Sequence, residues 1–125
     1  MLNDKPIYAY LPVKDVKRAR AFYEGKLGFE PKREEGGGVV YEFAGGTAAF
    51  VYPSQFAGTN KASQAFWQVA DVEKEVAELK AKRVVFEEYD LPDIKTKGGI
   101  AYAGDGKAAW FKDPEGNILA LIEGP

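Results

Sequence analysis

Ile7-Tyr8-Ala9-Tyr10-Leu11-Pro12-Val13-Lys14-Asp15-Val16 has a counterpart in Gln64-Ala65-Phe66-Trp67-Gln68-Val69-Ala70-Asp71-Val72. Each begins as a short run rich in aromatic and β-branched residues, passes through Val-x-Asp-Val, and enters a charged stretch with helical spacing. Asp15 and Asp71 suit helix N-caps, because a carboxylate accepts from the unpaired N–H groups of a first turn. Recurrence of the pattern at roughly half the chain length predicts two copies of one supersecondary unit.

Outward from the first copy, residues 6–13 alternate as a strand. Tyr8, Tyr10 and Pro12 share one face; Ile7, Ala9, Leu11 and Val13 share the other. Helical spacing follows over 16–27, with Val16, Ala19, Tyr23 and Leu27 as the apolar stripe, Phe22 beside it, and Gly28 as the stop. Strands are expected over 29–34, 39–43 and 47–52, separated by Gly36-Gly37-Gly38 and by Ala44-Gly45-Gly46. The first half therefore reads β-α-β-β-β. Residues 54–63 are small and polar and read as a linker.

The second half repeats the order. A strand over 64–70 leads to a helix over 72–82, striped by Val72, Val76 and Leu79, and then to a strand over 84–89. Asp90 to Gly99 is an irregular excursion. Its Lys95 and Lys97 read as solvated charges on a segment placed to act as a lid. A short strand at 100–104 turns at Asp105-Gly106 into strands over 107–112 and 118–123. Between those two strands, Asp113-Pro114-Glu115-Gly116-Asn117 is a tight turn, with Pro setting φ and Gly taking positive φ. The expected organisation is one domain over 1–125, made of modules at about 6–53 and 64–123.

Composition narrows the chemistry. The 125 residues carry 17 basic and 19 acidic side chains, a formal net charge of −2, with no basic patch for nucleic acid. No apolar run is long enough to span a bilayer, and the first residues do not read as a signal peptide. The absence of cysteine excludes disulfides, thiol catalysis and thiolate metal sites, and accords with a cytoplasmic location. The absence of histidine is more telling. It removes the commonest transition-metal ligand and the usual base near neutral pH, and with them Ser-His-Asp triads and zinc or iron sites of the His type.

Val13-Lys14-Asp15, Ala21-Phe22-Tyr23 and Leu27-Gly28-Phe29, closed by Phe111-Lys112-Asp113-Pro114-Glu115-Gly116-Asn117, together resemble the glyoxalase, bleomycin-resistance and extradiol-dioxygenase proteins of the vicinal oxygen chelate superfamily. The resemblance runs from Ile7 to Glu123. It implies an α+β fold of two βαβββ modules forming a cupped mixed sheet, with helices on the convex face, a site in the cup, and a homodimer. The enzymes of that family hold a divalent metal at four positions, which here correspond to Tyr8, Phe50, Gln64 and Ala120. One neutral amide is a poor set of donors for such an ion. The resemblance therefore supplies the fold and no metal, no cofactor and no catalytic residue. Glu123, beyond Ala120 on the last strand, reads as solvent-exposed.

Strand alternation assigns the faces. Leu11, Val13, Trp67, Val69, Phe111, Leu119 and Leu121 should face the helices. Tyr8, Tyr10, Phe50, Tyr52, Gln64, Phe66, Gln68, Trp110, Ile118 and Ala120 should face the cup, with Ala48 and Ala108 leaving room and Glu42 able to anchor a cation. So aromatic a face would line a ligand cavity, fill as a second core, or form a dimer interface; the cavity is the favoured expectation. The expected ligand-binding set is Tyr8, Tyr10, Phe50, Tyr52, Gln64, Phe66, Trp110, Ala120 and Glu42. The expected activity is sequestration of an aromatic or amphipathic small molecule, of the bleomycin-resistance and antibiotic-resistance kind, with no nucleic-acid or membrane partner. The alternative is a lyase, isomerase or dioxygenase-like enzyme using Tyr8, Tyr10 or Glu42, or an atypical metal site. Tyrosine is a weak base at neutral pH.

Overall fold

The computed structural model describes residues 1–124, and its fold is α+β. The chain packs as two compact units. One holds Met1–Lys61 and Pro114–Asn117; the other holds Ala62–Asp113 and residues 118–124. No helix among the described residues is long and apolar enough to cross a membrane.

In the first unit, β1 (Tyr8–Val13), β2 (Pro31–Glu35), β3 (Gly38–Glu42) and β4 (Ala48–Pro53) form a sheet of order β1-β4-β3-β2. β1 and β4 run parallel, and the other pairs are antiparallel hairpins. The connection from β1 passes through α1 (Val16–Arg20), whose N-cap Asp15 accepts from the Arg18 backbone N–H at 3.0 Å. The helix then widens into a π turn over Ala21–Lys26, closed by the Leu27 N–H on the Phe22 carbonyl at 3.1 Å. The extra residue of a π turn shifts the phase of the apolar stripe. Ala19, Phe22 and Tyr23 are all buried, while Leu27 is only half-buried. Gly28, at φ 76°, ends the helix as its sequence position suggested. Leu11, Val13, Val39, Tyr41 and Val51 complete this core from the sheet. Burying each such side chain contributes roughly 1.5–3 kcal/mol before ordering costs.

Residues 54–59, expected as linker, fold back on the unit. The Ser54 N–H bonds the Val13 carbonyl at 2.8 Å, Ala57 is buried, and the Thr59 hydroxyl donates to the Phe56 carbonyl at 2.8 Å. The Pro114–Asn117 turn belongs to the same unit. Its Asn117 side chain is buried and donates to the Pro12 carbonyl at 2.9 Å.

In the second unit, β5 (Ser63–Gln68), β6 (Thr96–Lys97), β7 (Ile100–Ala103), β8 (Gly106–Lys112) and β9 (Ile118–Glu123) form a sheet of order β5-β9-β8-β7-β6. α2 (Val72–Ala81) packs on β8 and β9, capped by Asp71, which accepts from the Lys74 N–H at 3.0 Å. The helix-facing side holds Ala109, Phe111, Leu119 and Leu121 against Val72 and Val76, with the half-buried Trp67 ring stacked 6.4 Å from Phe111.

Two expectations need correction here. The strand over 84–89 does not form a ladder. β7 pairs with Gly106–Ala109 of β8, so the earlier segment finds only the far end of that edge. It makes a single Phe86–Phe111 bridge, and the Glu87 N–H donates to the Trp110 carbonyl at 2.8 Å. Its alternation survives, with Val84 and Phe86 buried and Val85 exposed. Glu123 is also not a solvent-facing carboxylate. It is three-quarters buried, accepts the Val72 N–H at 2.9 Å, and stands 3.9 Å from the Lys107 ammonium. Unpaired N–H groups at the start of α2 supply a partner that burial of the carboxylate demands.

Candidate functional site

Each sheet turns one face to its helix and leaves the other bearing rings. On the first sheet, register places Tyr10, Phe50, Val40 and Arg33 in one row across β1, β4, β3 and β2. The Tyr10 ring lies 5.8 Å from Phe50 and 5.0 Å from Tyr52, and Phe50 lies 5.7 Å from Tyr52. These separations are ordinary for interacting aromatic pairs, so the three rings form one continuous platform. Tyr10 is still 67% exposed. Beside it runs a groove of about 390 Å³ lined by Pro6, Tyr8, Tyr10, Arg33, Val40 and Phe50, among others. Glu42 shares this face, because it and Tyr8 both register with Ala48. Its carboxylate already stands 3.9 Å from the Lys32 ammonium, which offsets its charge.

On the second sheet, Phe66, Ala120 and Trp110 form the corresponding row across β5, β9 and β8. Phe66 is 60% exposed, Trp110 is half-buried, and the Ala120 methyl is only 2% exposed. Gln64 precedes Phe66 at a break in the β5–β9 register, and its Oε1 is buried with no hydrogen-bond partner among the described residues. A second groove, of about 470 Å³, runs from Trp110 along Ala108, Ala101 and Ile122, beneath Pro92–Lys95. The Tyr89 ring stands edge-on to Trp110 at 5.5 Å.

Hydrogen bonding keeps the segment over this groove in place. Glu88 Oε1 accepts from the Thr96 hydroxyl at 2.6 Å and the Gly99 N–H at 3.0 Å, and the Thr96 hydroxyl accepts from the Tyr89 N–H at 2.8 Å. The Thr96 and Gly99 donors hold the Glu88 carboxyl below its ordinary pKa. Under the first sheet, Glu24 Oε2 accepts from Arg20 Nε at 2.6 Å and from the Tyr41 hydroxyl at 2.9 Å, while Arg20 reaches Glu34 at 2.8 Å. Burial pushes the Glu24 pKa upward, but the Arg20 and Tyr41 bonds outweigh it and the net shift is downward. Burial, reinforced by Glu24, drives the Tyr41 phenol well above its usual range. These groups are structural: both lie on the helix side, away from the open rings.

Sequence alternation thus places Tyr8, Tyr10, Phe50, Tyr52 and Glu42 on one face of the first sheet, and Phe66, Trp110 and Ala120 on one face of the second. It passed over Val40, Arg33, Tyr89, Ile94, Ala101 and Ile122. Val40 was legible in principle, since hairpin pairing sets it opposite Phe50. Arg33 was not, because an irregularity between Pro31 and Arg33 resets its register.

The four positions that the sequence resemblance assigns to metal ligands, Tyr8, Phe50, Gln64 and Ala120, carry a phenol, a phenyl ring, an amide and a methyl. Divalent ions need several carboxylate, imidazole or carbonyl donors, and this set does not fit one. Among the described residues, no three His, Cys, Asp or Glu side chains come together as an alternative site.

Comparison with known proteins accords with this architecture. The glyoxalase family protein of Enterococcus faecalis superposes with a TM-score of 0.72 at 21% identity, covering 98% of this chain and 100% of its own. Lactoylglutathione lyase of Agrobacterium tumefaciens gives 0.69 at 17%, covering 94% and 92%. The fosfomycin resistance protein FosX of Listeria monocytogenes gives 0.68 at 17%, covering 95% and 92%. At such identities the likeness is one of fold. No curated protein sequence matches significantly. A sequence model of one family, however, matches residues 6–121, nearly the whole chain, and this protein belongs to the Glyoxalase/Bleomycin resistance protein/Dioxygenase superfamily.

Proposed function

We propose that this protein is a metal-independent binding protein that sequesters an aromatic or amphipathic small molecule without altering it. It would act as a cytoplasmic homodimer, in the manner of bleomycin-resistance proteins, and could protect against a toxic or antibiotic compound. The observation that carries this reading is the Tyr10–Phe50–Tyr52 platform, open beside a groove lined by Tyr8 and Phe50, two of the positions that the family resemblance gives to metal ligands. Aromatic walls with a few polar tips suit flat, partly polar ligands. Burial of a ring system there would contribute roughly 25 cal/mol per Å² of apolar surface, less the ordering costs of association.

Titration with N-phenyl-1-naphthylamine, a neutral fluorophore, tests the reading in EDTA and again with excess Mg²⁺, Mn²⁺ or Zn²⁺. Saturable enhancement with the same affinity in both conditions is the expected result. Absence of saturable binding, or binding that appears only with metal, overturns it.

A further inference from the structure

We infer that the groove over the second sheet selects flat aromatic ligands that carry no formal charge. The inference rests on the sequestration reading and narrows it. Register puts Ala101 opposite Ala108 and Ala103 opposite Gly106, so these two pairs of β7 and β8 carry nothing larger than a methyl, while Tyr102 and Lys107 of the pair between them also border the groove. Trp110, Pro92 and Ile94 add apolar surface to its walls. The volume, about 470 Å³, is in the ordinary range for small-molecule sites.

The charges around this groove cancel. The overlying loop contributes Asp93 and Lys95, one of each sign. Lys107 and Glu123 also border the groove, but both are engaged elsewhere. Lys107 bonds Glu73 at 2.5 Å, and Glu123 accepts the Val72 N–H. An anion or cation entering would lose its hydration without meeting a net counter-charge, a cost that a neutral ring does not bear. Glu88, Thr96 and Gly99 pin the loop at its base, so the roof does not have to be ordered by the ligand.

Three probes separate the possibilities: naphthalene-2-methanol, naphthalene-2-sulfonate and (2-naphthylmethyl)trimethylammonium. The chain has two tryptophans, so a Trp67→Phe background leaves Trp110 as the sole indole N–H signal in an NMR titration. The neutral probe should shift that signal and bind at least about tenfold more tightly than either ion, a difference of ~1.4 kcal/mol. Ala108→Leu, and independently Ala101→Val, should weaken it by a similar factor, with the spectrum showing that each variant stays folded. Equal or tighter binding of an ion overturns the selectivity. Binding that survives both fillers but is lost in Tyr10→Ala moves the ligand to the first sheet and leaves sequestration standing. Failure of all three probes to bind sinks both.

Discussion

Glu115 Oε2 lies 2.9 Å from the backbone nitrogen of Asp15, 100 positions earlier in the chain. The same oxygen accepts from the Lys14 N–H at 2.8 Å and stands 3.2 Å from Arg18 Nη2. The Glu115 side chain is only 5% exposed. What reads as the third residue of a surface turn is therefore a clasp on the start of α1. Replacing it by alanine leaves two N–H donors unpaired, and charge-assisted bonds of this kind are worth about 1.5–3 kcal/mol. Glu115→Ala should lower unfolding free energy by roughly that amount in urea titration. A loss under ~0.5 kcal/mol would show that water replaces the carboxylate at no cost.

Stability should fall on the acid side. Burial tends to raise the Glu115 pKa, but the Asp15 and Lys14 N–H bonds and Arg18 prevail and lower it, as Arg20 and Tyr41 do for Glu24. A carboxyl with a depressed folded pKa contributes stability that is full above its unfolded pKa, about 4.3, and is lost as pH falls through the folded value. Urea midpoints measured from pH 6 down to pH 2 should decline most steeply below about pH 4.3. In Glu115→Gln the decline should be shallower; an unchanged slope would assign the acid sensitivity to other groups.

Tyr41→Phe removes one hydroxyl from a fully buried ring and leaves Glu24 with Arg20 alone. The expected loss is about 1–2 kcal/mol, since a partly buried carboxylate gives up a donor. Packing against Tyr23 and Phe29 should persist, so the near-ultraviolet circular dichroism keeps its shape. Wild-type stability in this variant would mean that the bond contributes nothing net.

Gly38 looks like part of a flexible glycine run, yet an added Cβ would collide with the Val51 carbonyl oxygen and approach the Tyr52 Cα to 2.9 Å. Both atoms are backbone of the neighbouring strand and cannot move aside cheaply. Gly38→Ala should cost more than about 2 kcal/mol, well beyond the ordinary gain from removing a glycine. A neutral or stabilising result in thermal unfolding would show that the β3–β4 pair tolerates the shift.

Trp110→Ala should weaken binding of naphthalene-2-methanol in the second-sheet groove by about 10- to 100-fold, from lost ring burial and stacking. The side chain stands on the open face and borders a groove, so the far-ultraviolet spectrum should not change. Unchanged affinity would remove Trp110 from the site.

By itself the amino-acid sequence determined whatever depends on neighbours along the chain. Asp15 and Asp71 cap their helices, Gly28 stops the first, and alternation sorts buried Leu11 from exposed Tyr10 and puts Leu121 and Ala120 in separate rows of the sheet. Backbone sterics and a two-residue side-chain period act within a few positions, so they are legible without coordinates. Lacking histidine and cysteine, the chain had also excluded whole classes of chemistry. Tertiary structure alone decided which distant groups meet. Glu115 and Glu123 turn inward to helix starts because those N–H groups need acceptors, and the 84–89 segment yields its edge of β8 to β7. A hydrogen bond across 100 positions leaves no periodic trace, since it depends on where the folded backbone brings two atoms within about 3 Å.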